Sequence, residues 1–361
     1  MREAKVHRIA TRSPDDIGGL VLAIEQGRID PDGIVAILGK TEGNGCVNDF
    51  TRAFAVSALK AGLARYLNTA RIEQIAYVMS GGTEGALSPH ILVFERADGA
   101  DAPGTALAIG SALTALLPAD GLGRMAQVKM VAAGVAEAMR DAGITDPADV
   151  HFVQIKVPLL TSERITAAEA AGKTVATRDT LKSMGFSRGA AALGVGVALG
   201  EIELAQISDA TVVRDTSLWS SRASTSAGVE IDNHEIVVLG MSENWSGPLA
   251  VDHAVMADAI DTRSVRSALD RLGITDDPSR LVALLAKAEP GTTGSLRGAR
   301  HTMLDDSDIA ATRHARAFVG GVLAGLVGTS EIFVSGGAEH QGPDGGGPVA
   351  LIATRHHGAV Q

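Results

Sequence analysis

The amino-acid sequence predicts an α/β fold of three structural repeats, each a β-sheet with flanking helices, arranged with pseudo-threefold symmetry around an active site on the central axis. Three observations predict it. A glycine, an acidic and proline turn and an apolar strand ending in lysine occur together three times. After each lysine an arginine opens a helix of small residues, and after each helix a further strand delivers a serine beside glycine or alanine. Strands alternating with helices argue for α/β units, and one order of parts recurring along the chain argues for repeats.

The strand segments are GRIDPDGIVAILGKTE (27 to 42), GITDPADVHFVQIKVP (143 to 158) and GITDDPSRLVALLAKAE (273 to 289), which end at Lys40, Lys156 and Lys287. Their Asp-Pro pairs are turn chemistry, and VAEAMRDA and VRSALDRL upstream of the second and third copies carry apolar residues at helical spacing. Helices are then predicted from Arg52 (TRAFAVSALKAGLARYL), Arg188 (SRGAAALGVGVALGEI) and Arg316 (RAFVGGVLAGLVG). Arg313 lies one turn before Arg316, but the RAF shared by 52–54 and 316–318 favours Arg316. The stretch 317–328 reads as a buried helix. The serines are Ser80 in YVMSGGTEG, Ser226 in RASTSAGVE and Ser335 in IFVSGGAEHQG, which follow their lysines by 40, 70 and 48 residues. The copies therefore differ by loop insertions. Polar stretches at 95–104 and 242–248 divide the chain into units at 1–104, 112–248 and 254–361.

With 361 residues, 45% hydrophobic and 20% charged, the chain is an ordinary globular protein large enough for two or three domains. Its 32 basic residues against 42 acidic ones, with 3% aromatics, supply neither a phosphate-tracking surface nor base-stacking platforms, so nucleic acid is not an expected partner. Cys46 is the only cysteine, which excludes an intrachain disulfide and a cysteine zinc cluster and suits a reducing cytoplasm. No apolar run approaches the ~18 residues of a membrane span, and the first residues lack a secretory signal, so no membrane partner is expected either.

A serine hydroxyl is a weak nucleophile until a base takes its proton, and lysine is that base only as the neutral amine. Burial and neighbouring cations both disfavour the ammonium, so three lysines and three arginines around one pocket would push the lysines the required way. An ammonium ending an apolar strand in every copy would be a poor choice for packing alone. Arginine offers a fixed fork of donors, and three of them suit the carbonyl oxygens of a flat ring. Gly81 and Gly336, next to their serines, allow close backbone approach, and backbone N–H groups there suit an oxyanion. Position by position, a simple tight turn explains these glycines equally well.

Other motifs carry less. GIVAILGKT places five residues between Gly33 and Gly39 where a phosphate loop has four, which rejects nucleotide binding there. Cys46 has no histidine partner nearby in sequence and no counterpart in the other copies, and reads as a buried spectator. No histidine pair has zinc-site spacing. The glycine- and proline-rich AEHQGPDGGGP (338 to 348) must form an irregular loop, whose carbonyls suit a hard cation with Glu289 as charge.

The words GKTEGNGCVNDFTR, VMSGGTEGALSPH, HFVQIKVPLLT, SMGFSRGAAALG, RGARHTMLDDSDI, TRHARA and VSGGAEHQGPDGGGP span essentially the whole chain. Through them the chain resembles the ring-opening amidohydrolases, the cyanuric acid amidohydrolases and barbiturases. The resemblance implies hydrolysis of cyanuric acid to carboxybiuret, which decarboxylates to biuret, with Lys156 as base and Ser226 as nucleophile and no cofactor for catalysis. It implies that Arg52, Arg188 and Arg316 hold the ring together with Ser80, Gly81, Ser226, Ala227, Ser335 and Gly336, and that Lys40 and Lys287 complete two further pairs. A structural Mg²⁺ or Ca²⁺ is implied at Glu289, Ala338, Gln341, Gly342, Pro343 and Gly346, as is a homotetramer. Barbituric acid as substrate, or a noncatalytic metabolite-binding role for the same pocket, are the alternatives these residues leave open.

Overall fold

The computed structural model describes residues 1–355. Its elements run in three similar series. The first is β1 (Arg2–Ala10), α1 (Gly18–Glu25), β2 (Ile34–Thr41), α2 (Phe50–Leu63), α3 (Thr69–Ile72), β3 (Ala76–Gly81) and β4 (His90–Asp98). The second is β5 (Ala106–Leu113), α4 (Met125–Ala142), β6 (Val150–Pro158), α5 (Ser162–Ala170), α6 (Thr180–Ala198), β7 (Ala223–Gly228) and β8 (Glu235–Ser242), followed by the short β9 (Trp245–Ser246). The third is β10 (Leu249–Met256), α7 (Thr262–Leu272), β11 (Leu281–Ala288), the hairpin β12 (Ser295–Leu296) and β13 (Ala299–Arg300), α8 (Ala311–Val327), β14 (Phe333–Gly336) and β15 (Gly347–Thr354).

Each series closes its own sheet, and the strand orders correspond: β3-β2-β4-β1, β7-β6-β8-β5 and β14-β11-β15-β10, with β9 added beside β1. The edge pair that opens each of these orders, β3-β2, β7-β6 and β14-β11, is parallel, the other pairs of the four-strand orders are antiparallel, and β9 runs parallel to β1. The Asp-Pro turns become single 3₁₀ turns at Pro31–Gly33, Pro147–Asp149 and Pro278–Arg280 that lead straight into β2, β6 and β11. In the first two, the preceding aspartate side chain accepts the backbone N–H two residues on.

One apolar core joins the three sheets. It includes Ala36, Leu38 and Val78 of the first, Phe152 and Val238 of the second, and Ala283, Leu285 and Phe333 of the third. The opposite face of the first sheet packs on α1 and α2 through Ile37, Tyr77, Leu20 and Leu59, and that of the third on α7 and α8 through Leu284, Val334, Leu269 and Leu323. Side chains alternate along a strand. Lys40 therefore shares the face of Ala36 and Leu38, and Lys287 that of Ala283 and Leu285, so each lysine extends the face that points to the shared core.

The structure corrects several expectations. Strands β5 and β10 begin at Ala106 and Leu249, before the positions 112 and 254 at which the units were drawn. The reason is that each sheet is led by a strand antiparallel to its neighbour, and that strand lies before the repeated lysine, arginine and serine words. Residues 356–361 of the third unit lie outside the described residues. Arg188 does not open its helix: α6 starts two turns earlier, where the Asp179 side chain accepts the Lys182 N–H as an N-cap. Nor is 317–328 buried all round. α8 buries Ala315, Arg316, Val319, Gly320, Leu323 and Val327 but leaves Phe318 41% exposed. Among the described residues no helix is long and apolar enough to cross a membrane.

Candidate active site

The three parallel strand pairs set the site. Register places Lys40 opposite Ser80, Lys156 opposite Ser226 and Lys287 opposite Ser335. All six side chains are buried. Each lysine then reaches into a neighbouring sheet and donates to the carbonyl just before that sheet's serine: Lys40 Nζ to Val334 O at 2.8 Å, Lys156 Nζ to Met79 O at 2.6 Å and Lys287 Nζ to Thr225 O at 2.8 Å. The three bonds form a closed cycle that draws the strand tips together. Ser226 Oγ and Ser335 Oγ, from different sheets, are 2.9 Å apart. One cavity is lined by Arg52, Arg188 and Arg316, by Ser80, Ser226 and Ser335, and by Gly81, Ala227 and Gly336.

A second cycle runs through residues that the sequence reading passed over. Four residues after each serine stands a glutamate: Glu84, Glu230 and Glu339. Each pairs with the arginine of another sheet. Arg316 Nε and Nη2 donate to Glu84 at 2.8 and 2.6 Å, and Arg188 Nε and Nη2 donate to Glu339 at 2.8 and 2.6 Å. Both are bidentate, the strong geometry for this pair. Arg52 is the exception. Its Nε lies 3.3 Å from both oxygens of Glu230, while its Nη2 donates to Cys46 O at 2.8 Å. Arg313, the competing candidate, donates to Glu84 from a half-exposed position, and Arg316 is the buried one. The repeated S-[GA]-G-x-E was the signal available in the sequence.

Gly82 and Gly337, two residues after their serines, show why glycine recurs there. Both have positive φ, at +109° and +76°, and a Cβ on either would stand 2.5 Å from the Arg316 or Arg188 guanidinium. Gly81 is equally constrained, since a Cβ there would meet Asp49 Oδ2 at 1.8 Å. Asp49 itself caps α2, accepting the Thr51 N–H. Cys46 is half-buried rather than buried, and its carbonyl serves Arg52.

The lysines differ in electrostatics. Burial, reinforced by Arg316, pushes Lys40 well below an ordinary lysine, and burial with Arg188 does the same to Lys287. Lys156 is equally buried, but Glu230 Oε1 lies 2.6 Å from its Nζ and offsets part of the burial, which leaves it at about 8. Hydrogen bonding differs too. Lys40 donates to Ser80 Oγ at 3.2 Å and Lys287 to Ser335 Oγ at 3.1 Å, whereas Lys156 makes no such bond to Ser226 among the described residues.

Part of the expected ion-ligand set lies together beside this site. Burial and the nearby Glu339 push Glu289 up to about 7, and its only hydrogen-bond donor among the described residues is the Ala338 N–H, 2.7 Å from Oε2. Ala338, Gly342 and Pro343 line a cavity with Glu289. Gln341 spends its side chain otherwise: Oε1 accepts the Thr225 N–H at 2.7 Å, next to Ser226, and Nε2 donates to Gly337 O and Glu339 O. Elsewhere His151, Asp252 and His253 lie within ligand distance of one another, which no local spacing foretold, but Arg271 grips Asp252 from Nε at 2.6 Å.

Comparison with known proteins agrees with this architecture. The family model for the amidohydrolase ring-opening protein matches residues 5–354. A cyanuric acid amidohydrolase of Bradyrhizobium sp. (strain ORS 375) is 62% identical over 368 residues, covering 98% of this chain and 99% of the relative. The crystal structure of cyanuric acid hydrolase from A. caulinodans, 61% identical, superposes with a TM-score of 0.94 over 99% of this chain and 100% of that one. A further cyanuric acid hydrolase structure, described as evolutionary innovation by structural concatenation, is 49% identical with a TM-score of 0.95 and covers 98% of this chain and 100% of its own.

Proposed function

The chain belongs to the ring-opening amidohydrolase family, and from that premise we propose that it hydrolyses cyanuric acid, opening the ring to carboxybiuret, which loses carbon dioxide to give biuret. Relatives at about this identity bear that substrate in their names. The observation that carries the reading is the closed cycle of lysine contacts, which gathers three serines and three arginines of three sheets around one cavity. Three matching series related by a pseudo-threefold axis suit a ligand with threefold symmetry.

In the proposed mechanism neutral Lys156 takes the Ser226 proton as Oγ attacks a ring carbonyl carbon. The ring C–N bond breaks, and the leaving nitrogen receives the proton from the Lys156 ammonium. Water, deprotonated in turn by Lys156, releases the acyl group from Ser226. The amine must turn from Glu230 toward Ser226 for the first step, a closing motion usual in going from the free to the substrate-bound site. Nη1 of Arg188 and of Arg316, which makes no hydrogen bond among the described residues, is the donor left for ring oxygens once Nε and Nη2 have engaged the glutamates. Ser80 and Ser335, with the backbone at Gly81, Ala227 and Gly336, complete the cradle.

A buried carboxyl pushed up to about 7 beside a second carboxylate, at a loop rich in carbonyls, fits a hard divalent cation. Glu289 would supply charge, and the backbone oxygens of Ala338, Gln341, Gly342, Pro343 and Gly346 the remaining ligands. A bound Mg²⁺ or Ca²⁺ would neutralise the carboxylates and fix the loop. The loop follows Ser335 in the chain and through Gln341 also holds Thr225, so its part is structural. A cytoplasmic homotetramer completes the reading, with static light scattering of the purified protein as the measure of assembly.

The test is direct. Purified protein given cyanuric acid should release carbon dioxide and biuret, with barbituric acid a poor substrate. Release absent with cyanuric acid but present with barbituric acid would reassign it as a barbiturase, and binding without turnover would make it a metabolite-binding protein.

A further inference from the structure

The cycle of arginine–glutamate clamps has one irregular member. Glu84 and Glu339 each hold a guanidinium through both oxygens, but Glu230 shares itself between Arg52 and Lys156. What frees it is local. Arg52 spends Nη2 on Cys46 O, and its Nη1 lies 3.7 Å from Asp49 Oδ2, so its fork is engaged within its own series. Glu230 Oε1 is left to approach Lys156 Nζ at 2.6 Å. Among the described residues neither Lys40 nor Lys287 has a carboxylate within ion-pair distance.

We propose that Glu230 is the positioning residue that selects Lys156, among three lysines in equivalent register, as the base of the reaction. This rests on the reading of Lys156 and Ser226 as the catalytic pair. A carboxylate in contact favours the ammonium and so restores proton affinity that burial removes. A base works best when its affinity matches the working pH, since it must take a proton and return it within one turnover. Among the described residues Lys40 and Lys287 have no carboxylate in contact to offset the burial that lowers them. The other charged groups facing Lys156 are Arg52, which opposes Glu230, and Glu235 of β8, its register partner; Asp49 stands behind Arg52 and Lys60 near Glu235. Glu235 is itself pushed up to about 8, chiefly by burial, and is therefore a weaker source of negative charge near neutrality.

The sign follows. Activity needs the neutral amine, so kcat/KM rises with pH through the Lys156 titration. Removing the negative charge of Glu230 lowers that titration, so the acid limb moves toward lower pH.

The experiment is the pH profile of kcat/KM for cyanuric acid in the wild type, Glu230→Gln, Glu230→Asp and Glu84→Gln. Glu230→Gln should move the acid limb about one pH unit or more toward acid. Glu84→Gln should raise KM with the limb in place, because its clamp touches no lysine. Glu230→Asp, which keeps the charge one methylene further off, should restore most of the wild-type limb. An unmoved limb in folded Glu230→Gln, or an equal shift in Glu84→Gln, overturns the proposal. If Glu230→Gln does not fold, Glu230→Ala decides in its place: an acid shift of the limb that Glu230→Asp largely lacks supports selection by this carboxylate, and an unmoved limb overturns it. Wild-type protein without turnover would instead sink the functional reading itself.

Discussion

Lys40 and Lys287 rest on the serines of their own strand pairs, while Lys156, in the same register, turns from Ser226 toward Glu230. The three tips share the parallel pair, the buried amine and the bond to a carbonyl of a neighbouring sheet. The difference teaches that one repeated pattern can fix geometry three times and proton affinity separately each time. Lys156, with a carboxylate in contact, stands at about 8, while burial and a neighbouring arginine hold Lys40 and Lys287 well below the ordinary lysine range.

The comparison breaks most directly by removing its members one at a time. Lys156→Ala and Ser226→Ala should each lower kcat by about 10⁴-fold or more, because residues acting as one unit lose nearly everything together. Ser80→Ala, by contrast, removes one hydrogen bond to the ring and should cost about 10- to 100-fold, mostly in KM. Steady-state kinetics on cyanuric acid read both. If Ser80→Ala or Ser335→Ala abolished turnover while Ser226→Ala retained it, the working pair would lie in another sheet and the role given to Glu230 would fall with it.

A second test sharpens the contrast between the third sheet and the other two, because the carbonyl-rich loop at 338–346 follows Ser335 alone. Stripping divalent cations with a chelator should lower Tm by several degrees, in line with the loss of a ligand that binds only the folded state, and added Mg²⁺ or Ca²⁺ should restore it. The kcat loss should be partial, since the loop's bond nearest Ser226 is that between Gln341 and Thr225 rather than one to Ser226 itself. An unchanged Tm, with metal analysis finding no bound ion before treatment, would remove the cation from the account.

Much of this arrangement was legible in the chain because repetition cancels local ambiguity. A lone lysine ending a strand says little, but Lys40, Lys156 and Lys287 at one place in three similar words define register partners before any coordinates. Arg316 over Arg313 was legible for the same reason. The helix start at Thr180 was not, because the segment before Arg188 has no counterpart in the other copies. The glutamates are less legible, although they recur in YVMSGGTEG, RASTSAGVE and IFVSGGAEHQG. A charged residue in a glycine-rich loop ordinarily reads as solvated, and only the packing of one sheet's arginine over another sheet's loop turns Glu84, Glu230 and Glu339 into partly buried ion-pair partners. The departure of Lys156 from Ser226 lies further still from sequence, since it depends on where Arg52 spends its donors.

The smallest difference among the tips is the residue after the serine: glycine at 81 and 336, alanine at 227. A Cβ at Gly81 would collide with Asp49 Oδ2 at 1.8 Å, and one at Gly336 would stand 2.8 Å from Arg316 Nη1 and push that guanidinium aside. Ala227 keeps its methyl, buried to 4% exposure within β7 and joined to the shared apolar core. If that methyl only packs, Ala227→Gly should cost about 0.5–1 kcal/mol through added backbone freedom and lost burial. Tm would then fall by about 2–4 °C or less, with KM and kcat unchanged. A clear loss in kcat with Tm preserved would mean instead that the methyl orients Ser226, and the second tip would then differ from its fellows in the nucleophile as well as in the base.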